Sequence, residues 1–387
     1  MYPFNGVEVI RKKFNESNSR TFEVLAPDNR YAVVSSGQHL KELDAAPDMV
    51  LPFQAASKQI LQPRYTMQGS NWFDWRGTEG VGFVRALRTP LTNNIPLILP
   101  NLNVMIKSLL CEMDSQQPVR VVVLANAVSF FGEELGVHAS ALRYIEETVI
   151  CAEILRLMPA FLHSIYKTLL PIAEQRCLER NLKNLGHEVP KHKASAELSV
   201  PWADCIQWIM ETSPRKAPWS GKRVVHELMA TWFGSTITFA IHDLCLHPEY
   251  TEPLRAELEA KDTQFLQSGR GLPLMDSFFK ESARLTPVES TSLSRAIPAP
   301  FKIPQRKPTL LCDANASWHV LGFGRMVCPG RYYAAAIIKL VMAQIILNYD
   351  CRLVDPGVPR WFTWRSTILP SPKTKVVFSP RSNGSMR

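Results

Sequence analysis

Strict alternation of apolar and polar positions is confined to the ends of the chain. Near the start, "RTFEVLAP" and "RYAVVSS" are short runs of this kind, with Asp28 and Asn29 between them as turn formers, so residues 20–37 read as a hairpin. From about residue 95 to 290 the apolar positions recur every three or four residues instead. They do so in "ASALRYIEETVICAEILRLM", "WADCIQWIM", "GKRVVHELMATWFGSTITFAIHDLCL" and "LMDSFFKESARL", the spacing of helices that bury one face. The stretch from Lys222 to Leu246 is apolar on most sides, as a helix through the middle of a large protein is; it would span roughly 37 Å, and His247 and Pro248 end it. Residues 287–312 are proline-punctuated and extended, "RYYAAAIIKLVMAQIIL" is a strongly apolar helix, and "TILPSPKTKVVFSPR" is β-like. The expected fold class is mainly α with small β-sheets. No repeat, low-complexity tract or linker divides residues 1–387, so a single domain is expected.

Composition narrows the class. With 46% apolar residues over 387 positions the chain has ample material for a core and is not a disordered one. The net charge of +9 comes from dispersed Lys and Arg, with no basic stripe interleaved with aromatics, so a nucleic-acid partner is not expected. A solvated surface or a docking face for an acidic protein accounts for the charge. The N-terminus carries no apolar leader or anchor, and charge breaks each later apolar run before about 18 residues, so no transmembrane segment is expected in this chain. Eight cysteines lie far apart without a CxxC pair, which reads as reduced, intracellular thiols.

One of those cysteines sits apart from the rest in its setting. In "LGFGRMVCPGRYYA", residues 321–334, Gly322, Gly324 and Gly330 remove side chains from the loop, so a flat bulky group can approach the backbone, and Pro329 stiffens the bend after the sulfur. A helix starting near Arg331 aims its N–H groups back at Cys328 and favours a thiolate there. Such a thiolate is a nucleophile or a metal ligand. No Cys-His-Asn set accompanies it, and no second cysteine or histidine stands at zinc spacing.

This segment resembles the haem-binding loop of the cytochrome P450 family, F-x-x-G-x-R-x-C-x-G, in the form found in fungal secondary metabolism. The resemblance, which covers nearly the whole chain, implies the α-rich fold of that family and a haem b (iron protoporphyrin IX) cofactor. Cys328 is then the axial iron ligand within a loop at 321–331. The same resemblance makes Glu281 and Arg284, in "MDSFFKESARLTP" on a helix at about 274–286, the structural Glu-x-x-Arg pair. That spacing recurs at Glu8/Arg11, Glu153/Arg156 and Glu252/Arg255, since such pairs are ordinary on helices, and only context singles out the pair at 281 and 284. Arg295, and Arg85 or Arg88 in "GFVRALRTPLTNNI", match arginines that reach the haem propionates.

The sequence also departs from the family. Thr231, with Ser235 one turn beyond on the same face, takes the place of the proton relay on the long helix at about 222–246, but Trp232 stands where a hydroxyl would. Met326 replaces a basic residue, with Arg325 beside it to take over, and Leu321 replaces a phenylalanine. The interval of 47 residues from Glu281 to Cys328 is short, so the meander before the loop is expected to be incomplete, and Arg306 is a poor third member of the Glu-Arg-Arg lock.

The implied activity is a monooxygenase that oxidises a lipophilic small molecule, a terpenoid or another secondary-metabolite intermediate, with O2 and electrons from an NADPH-dependent flavoprotein reductase. The implied location is the endoplasmic reticulum membrane surface, although this chain shows no anchor. Two other readings compete: an O2-independent isomerase or dehydratase, which would tolerate Trp232, and a non-catalytic remnant of the family.

Overall fold

The computed structural model describes residues 2–47 except 19 and 35, isolated positions between 50 and 66, and 82–112, 150–163, 205–213 and 237–287. It also describes 310–381 except 316, 317, 325 and 326. The chain divides into two compact units, one of residues 1–46, 99–121 and 235–387, the other of 47–98 and 122–234. In chain order the elements are α1 (Tyr2–Glu16), β1 (Phe22–Leu25), β2 (Arg30–Val33), α2 (Gly37–Ala45), α3 (Ile95–Glu112), α4 (Cys205–Thr212) and α5 (Ile237–Leu246). They continue with α6 (Thr251–Ser268), α7 (Pro273–Leu285), α8 (Arg331–Asn348), β3 (Tyr349–Leu353), β4 (Trp361–Trp364), β5 (Thr367–Pro370) and β6 (Val376–Pro380). The class is as expected, helix-rich with small sheets: among the described residues the strands pair only two by two, β1 with β2, β3 with β6 and β4 with β5, all antiparallel.

Local chemistry explains the element ends. In the first hairpin Asn29 closes the turn twice, its carbonyl accepting from Ala26 N (2.9 Å) and its side chain from Arg30 N (2.8 Å), while Tyr31 donates to Asp28 (3.0 Å). The Ser36 side chain caps α2 by accepting from His39 N. Gly269, at φ 68°, terminates α6 in the left-handed region. Pro273 opens α7, and the Glu257 carboxylate accepts from Leu274 N and Met275 N at 2.9 and 3.0 Å, taking up amides that no turn of helix precedes.

The larger unit is built around α8, which is apolar on nearly every side. It packs on α6, while α5 packs on α7 and β3. Leu254, Leu258 and Phe265 of α6, Met275, Phe278 and Phe279 of α7, and Leu340, Val341 and Met342 of α8 are wholly buried, each contributing about 1.5–3 kcal/mol of transfer free energy. In the smaller unit α4 packs on the helical stretch 82–91 through buried residues that include Trp208, Leu87 and Leu91. Among the described residues no single helix is long and apolar enough to cross a membrane.

The expected long helix at 222–246 is described from Ile237 onward as α5. It stops before His247, where Pro248 begins a tighter turn. Two polar side chains are buried in it, His242 and Asp243. His242 Nδ1 has no hydrogen-bond partner among the described residues, and burial together with the nearby Arg360 guanidinium pulls the ring down to a pKa of about 4. The folded state therefore resists a proton that the unfolded chain accepts near pH 6.5, so stability is present above that pH and drains away as pH falls towards 4. From pH 7 to 5 this group alone is expected to cost about 2 kcal/mol, and His242→Phe to abolish that share, measured by denaturant unfolding of both proteins at the two pH values.

Candidate active site

The cysteine loop is held by backbone hydrogen bonds that the sequence prepares. Cys328 N donates to Leu321 O (2.8 Å), which closes the loop on itself; Gly322 N donates to His319 O (2.8 Å), and Val327 N to Gly324 O (3.3 Å). Gly322 and Gly324 lie at φ 85° and 55°, where a side chain is strained, and a Cβ at Gly324 would also overlap the Asp44 carboxylate of α2. After Pro329 the chain enters α8 at once, with Gly330 as its cap and Arg331 N reaching back to Cys328 O (3.3 Å). The Arg331 guanidinium lies 4.3 Å from the Tyr332 ring centroid and donates to the same carbonyl.

These features place three influences on the sulfur. Burial pushes the Cys328 thiol above its ordinary range, while the Gly330 N–H and the Arg331 charge pull it down. The donors expected from sequence are therefore present beside the sulfur, and burial opposes them. Among the described residues no three His, Cys, Asp or Glu side chains gather as a metal site. A lone, half-buried thiol with one backbone donor beside it does not hold a metal alone, but it fits a haem iron, which brings its other ligands with it. A groove of about 490 Å³ lies beside the loop between Asp313, Asn315, Phe323, Val327 and Tyr332; Cys328 is not among its walls, so it is a surface feature and not the space before the sulfur.

Behind the loop, α7 carries the Glu-x-x-Arg pair. Glu281, buried, accepts two hydrogen bonds from Arg284, each 2.7 Å, in the fork geometry that makes arginine–carboxylate pairs strong. Next along the helix, the Ser282 hydroxyl donates to Asp243 of α5 (2.5 Å), and Arg360, just before β4, donates to the other oxygen of that carboxylate (2.6 Å). Asp243, Ser282 and Arg360 were not flagged from sequence. The only signal was an acid set in the otherwise apolar "ITFAIHDLCL".

Of the sequence-flagged residues, Cys328, Gly322, Gly324 and Gly330 come together in one loop, and Glu281 and Arg284 pair on α7 within the same unit. Arg85 and Arg88 are exposed on the stretch 82–91 of the other unit. Thr231, Ser235, Trp232, Arg295, Arg306, Arg325 and Met326 lie outside the described residues, as do residues 288–309, on which the expectation of an incomplete meander falls.

No protein-family model matches the chain. Curated fungal proteins do. Cytochrome P450 monooxygenase 151 of Postia placenta is 26% identical, the alignment covering 96% of this chain and 88% of that protein. The alignment runs over 450 positions against the 387 residues here, so that relative carries internal segments this chain lacks. An ent-kaurene oxidase of Gibberella intermedia is 26% identical over 62% of this chain and 56% of its own length. A solved zebrafish cytochrome P450 with abiraterone superposes with a TM-score of 0.63, covering 97% of this chain and 99% of that one at 14% identity, which is a likeness of fold.

Proposed function

From the premise that the chain is a cytochrome P450 of the fungal secondary-metabolism type, we propose that it is a haem-thiolate monooxygenase acting on a lipophilic terpenoid or related intermediate, with residues 1–387 working as one domain. The observation that carries this reading is Cys328 itself, set in a glycine loop closed by its own amide on Leu321 and followed at once by α8. That some relatives are named ent-kaurene oxidases supports the substrate class.

In this reading Cys328 would be the residue that holds the iron, and the Gly330 N–H and the Arg331 charge would favour negative charge on its sulfur. The haem, iron protoporphyrin IX, supplies the activation of O2 once bound. Arg295, Arg325 and either Arg85 or Arg88 would hold its propionates. Thr231 and Ser235 hold and pass the protons that reduction of O2 consumes. A net charge of +9 suits an acidic NADPH-dependent flavoprotein reductase as electron donor, because opposite charges speed encounter. The endoplasmic reticulum surface is the proposed location.

The test is turnover of a panel of diterpene hydrocarbons by the purified protein with a fungal reductase, NADPH and isotopically labelled O2. Incorporation of a single labelled oxygen atom, dependent on reductase, is the expected result. A product formed equally well without reductase or O2 would replace the monooxygenase by an isomerase or dehydratase, and protein that never retains haem would leave a non-catalytic remnant.

A further inference from the structure

Three stretches of chain around the thiol loop meet at one buried carboxylate. Asp276 stands in the first turn of α7 with its side chain 1% exposed, and its Oδ1 lies 3.2 Å from Nζ of Lys339, midway along α8 and 3% exposed. The same Oδ1 accepts from Leu311 N (3.1 Å), where the segment leading up to the cysteine loop begins. Oδ2 is buried with no hydrogen-bond partner among the described residues. Further along, Lys280, one turn on from Asp276, sits 5.1 Å from the Trp318 ring centroid, and Trp318 Nε1 donates back to Leu311 O (3.2 Å). So α7 grips the incoming segment at both ends, and through Lys339 it grips the outgoing helix.

A buried ion pair is a poor source of stability, since apolar side chains of similar volume hold a core as well or better. What it provides is direction. Apolar contacts are non-directional and tolerate sliding, whereas an amide and an ammonium on one carboxylate oxygen fix the height of two segments against a third. The apolar residues of α8 around Lys339, namely Ala335, Ala336, Ile337, Leu340 and Val341, make contacts of the sliding kind, while farther along the helix Arg255 Nε donates to Ile346 O (3.1 Å) and Gln344 Nε2 to Asn103 Oδ1 (2.7 Å).

We propose that Asp276 and Lys339 are positioning residues for the Cys328 ligand: by fixing the chain that enters the loop and the helix that leaves it to α7, they hold the sulfur at its coordinating height. This rests on the reading of Cys328 as axial ligand and adds the residues that keep it in place. Both residues act through the segments that flank the loop, so a spectroscopic readout is needed beside stability.

The comparison uses haem-loaded full-length protein. Asp276→Asn with Lys339→Met removes both charges but keeps an oxygen that accepts from Leu311 N; Asp276→Leu with Lys339→Met removes that acceptor too. Both doubles are expected to melt within a few degrees of each other. The asparagine double, which lacks the Lys339 grip, should lose the strongly red-shifted Soret band of the reduced, CO-bound form faster than wild type, and the leucine double about tenfold faster again, the rate equivalent of one buried hydrogen bond. If leucine does not fit, Asp276→Ala with Lys339→Met deletes the same acceptor and serves instead. Equal decay in the two doubles, or decay that merely tracks melting temperature across all variants, overturns the positioning role. Wild-type protein lacking the red-shifted band altogether would overturn the ligand reading of Cys328, a result no Asp276 variant can imitate.

Discussion

Cys328→Ala is expected to abolish the strongly red-shifted Soret band of the reduced, CO-bound protein completely while changing stability by less than about 1 kcal/mol. The two halves of that expectation have separate causes. The band requires a thiolate on iron, and alanine offers no donor; serine in the same position offers only a hydroxyl that does not ionise near neutral pH. Stability survives because the structural bonds of residue 328 are made by its backbone. Its amide on Leu321 O, and its carbonyl under Arg331 N and the Arg331 guanidinium, are unchanged by the substitution. Cys312→Ala, a change to a buried cysteine of the incoming segment, is the control and should leave the band in place. Absorption spectra and thermal melts of the three proteins check both halves, and a band that persists in Cys328→Ala would mean that another side chain ligates the iron.

What could be read from the sequence was what local chemistry writes. Asp28 and Asn29 marked the first hairpin because turn residues bond to their own neighbours, Pro248 marked the end of α5 because it donates no amide, and the start of α8 at Arg331 followed from the glycine and proline before it. Glu281 and Arg284 were legible through their context in "MDSFFKESARLTP", since the spacing that puts them on one turn of a helix recurs elsewhere in the chain. What could not be read was long-range partnership. Asp243 and Arg360 are 117 residues apart, and Asp44 reaches Gly324 from α2 at the other end of the chain. Nothing in the pattern of either segment names the other. The residual sign was charge where periodicity demanded none, as at Asp243 in α5 and Lys339 in α8. The burial of Cys328 is hidden for the same reason: the amide near its sulfur is local, but burial is a property of the assembled unit.

That long-range bond carries the second large effect. Arg360→Met is expected to cost about 3–5 kcal/mol, because it leaves the Asp243 carboxylate, 1% exposed, with only the Ser282 hydroxyl. The cost has a ceiling, since the carboxyl can take up a proton instead, and doing so at pH 7 from an ordinary pKa near 3.9 costs about 4 kcal/mol. Burial already holds Asp243 above its ordinary value, with Ser282 and Arg360 pulling the other way, and removing the guanidinium pushes it higher still. A carboxyl raised in the folded state binds a proton there that the unfolded chain has released, so its stabilising share is full at acid pH and is lost as pH rises through the folded pKa. The deficit of Arg360→Met should therefore shrink between pH 7 and pH 4.5. Asp243→Asn leaves Arg360 with its side chain 22% exposed and free to turn to water, so it should cost no more than about 1–2 kcal/mol, with no such pH dependence. Adding Asp243→Asn to Arg360→Met should recover most of the loss. Denaturant unfolding of the three variants at both pH values tests the order, and equal costs for the two single changes would show that Asp243 is not held ionised by Arg360. The Arg360 bond ties α5 to the chain entering β4, and the carboxylate it holds is the same one that accepts from Ser282 on α7, the helix that carries Glu281.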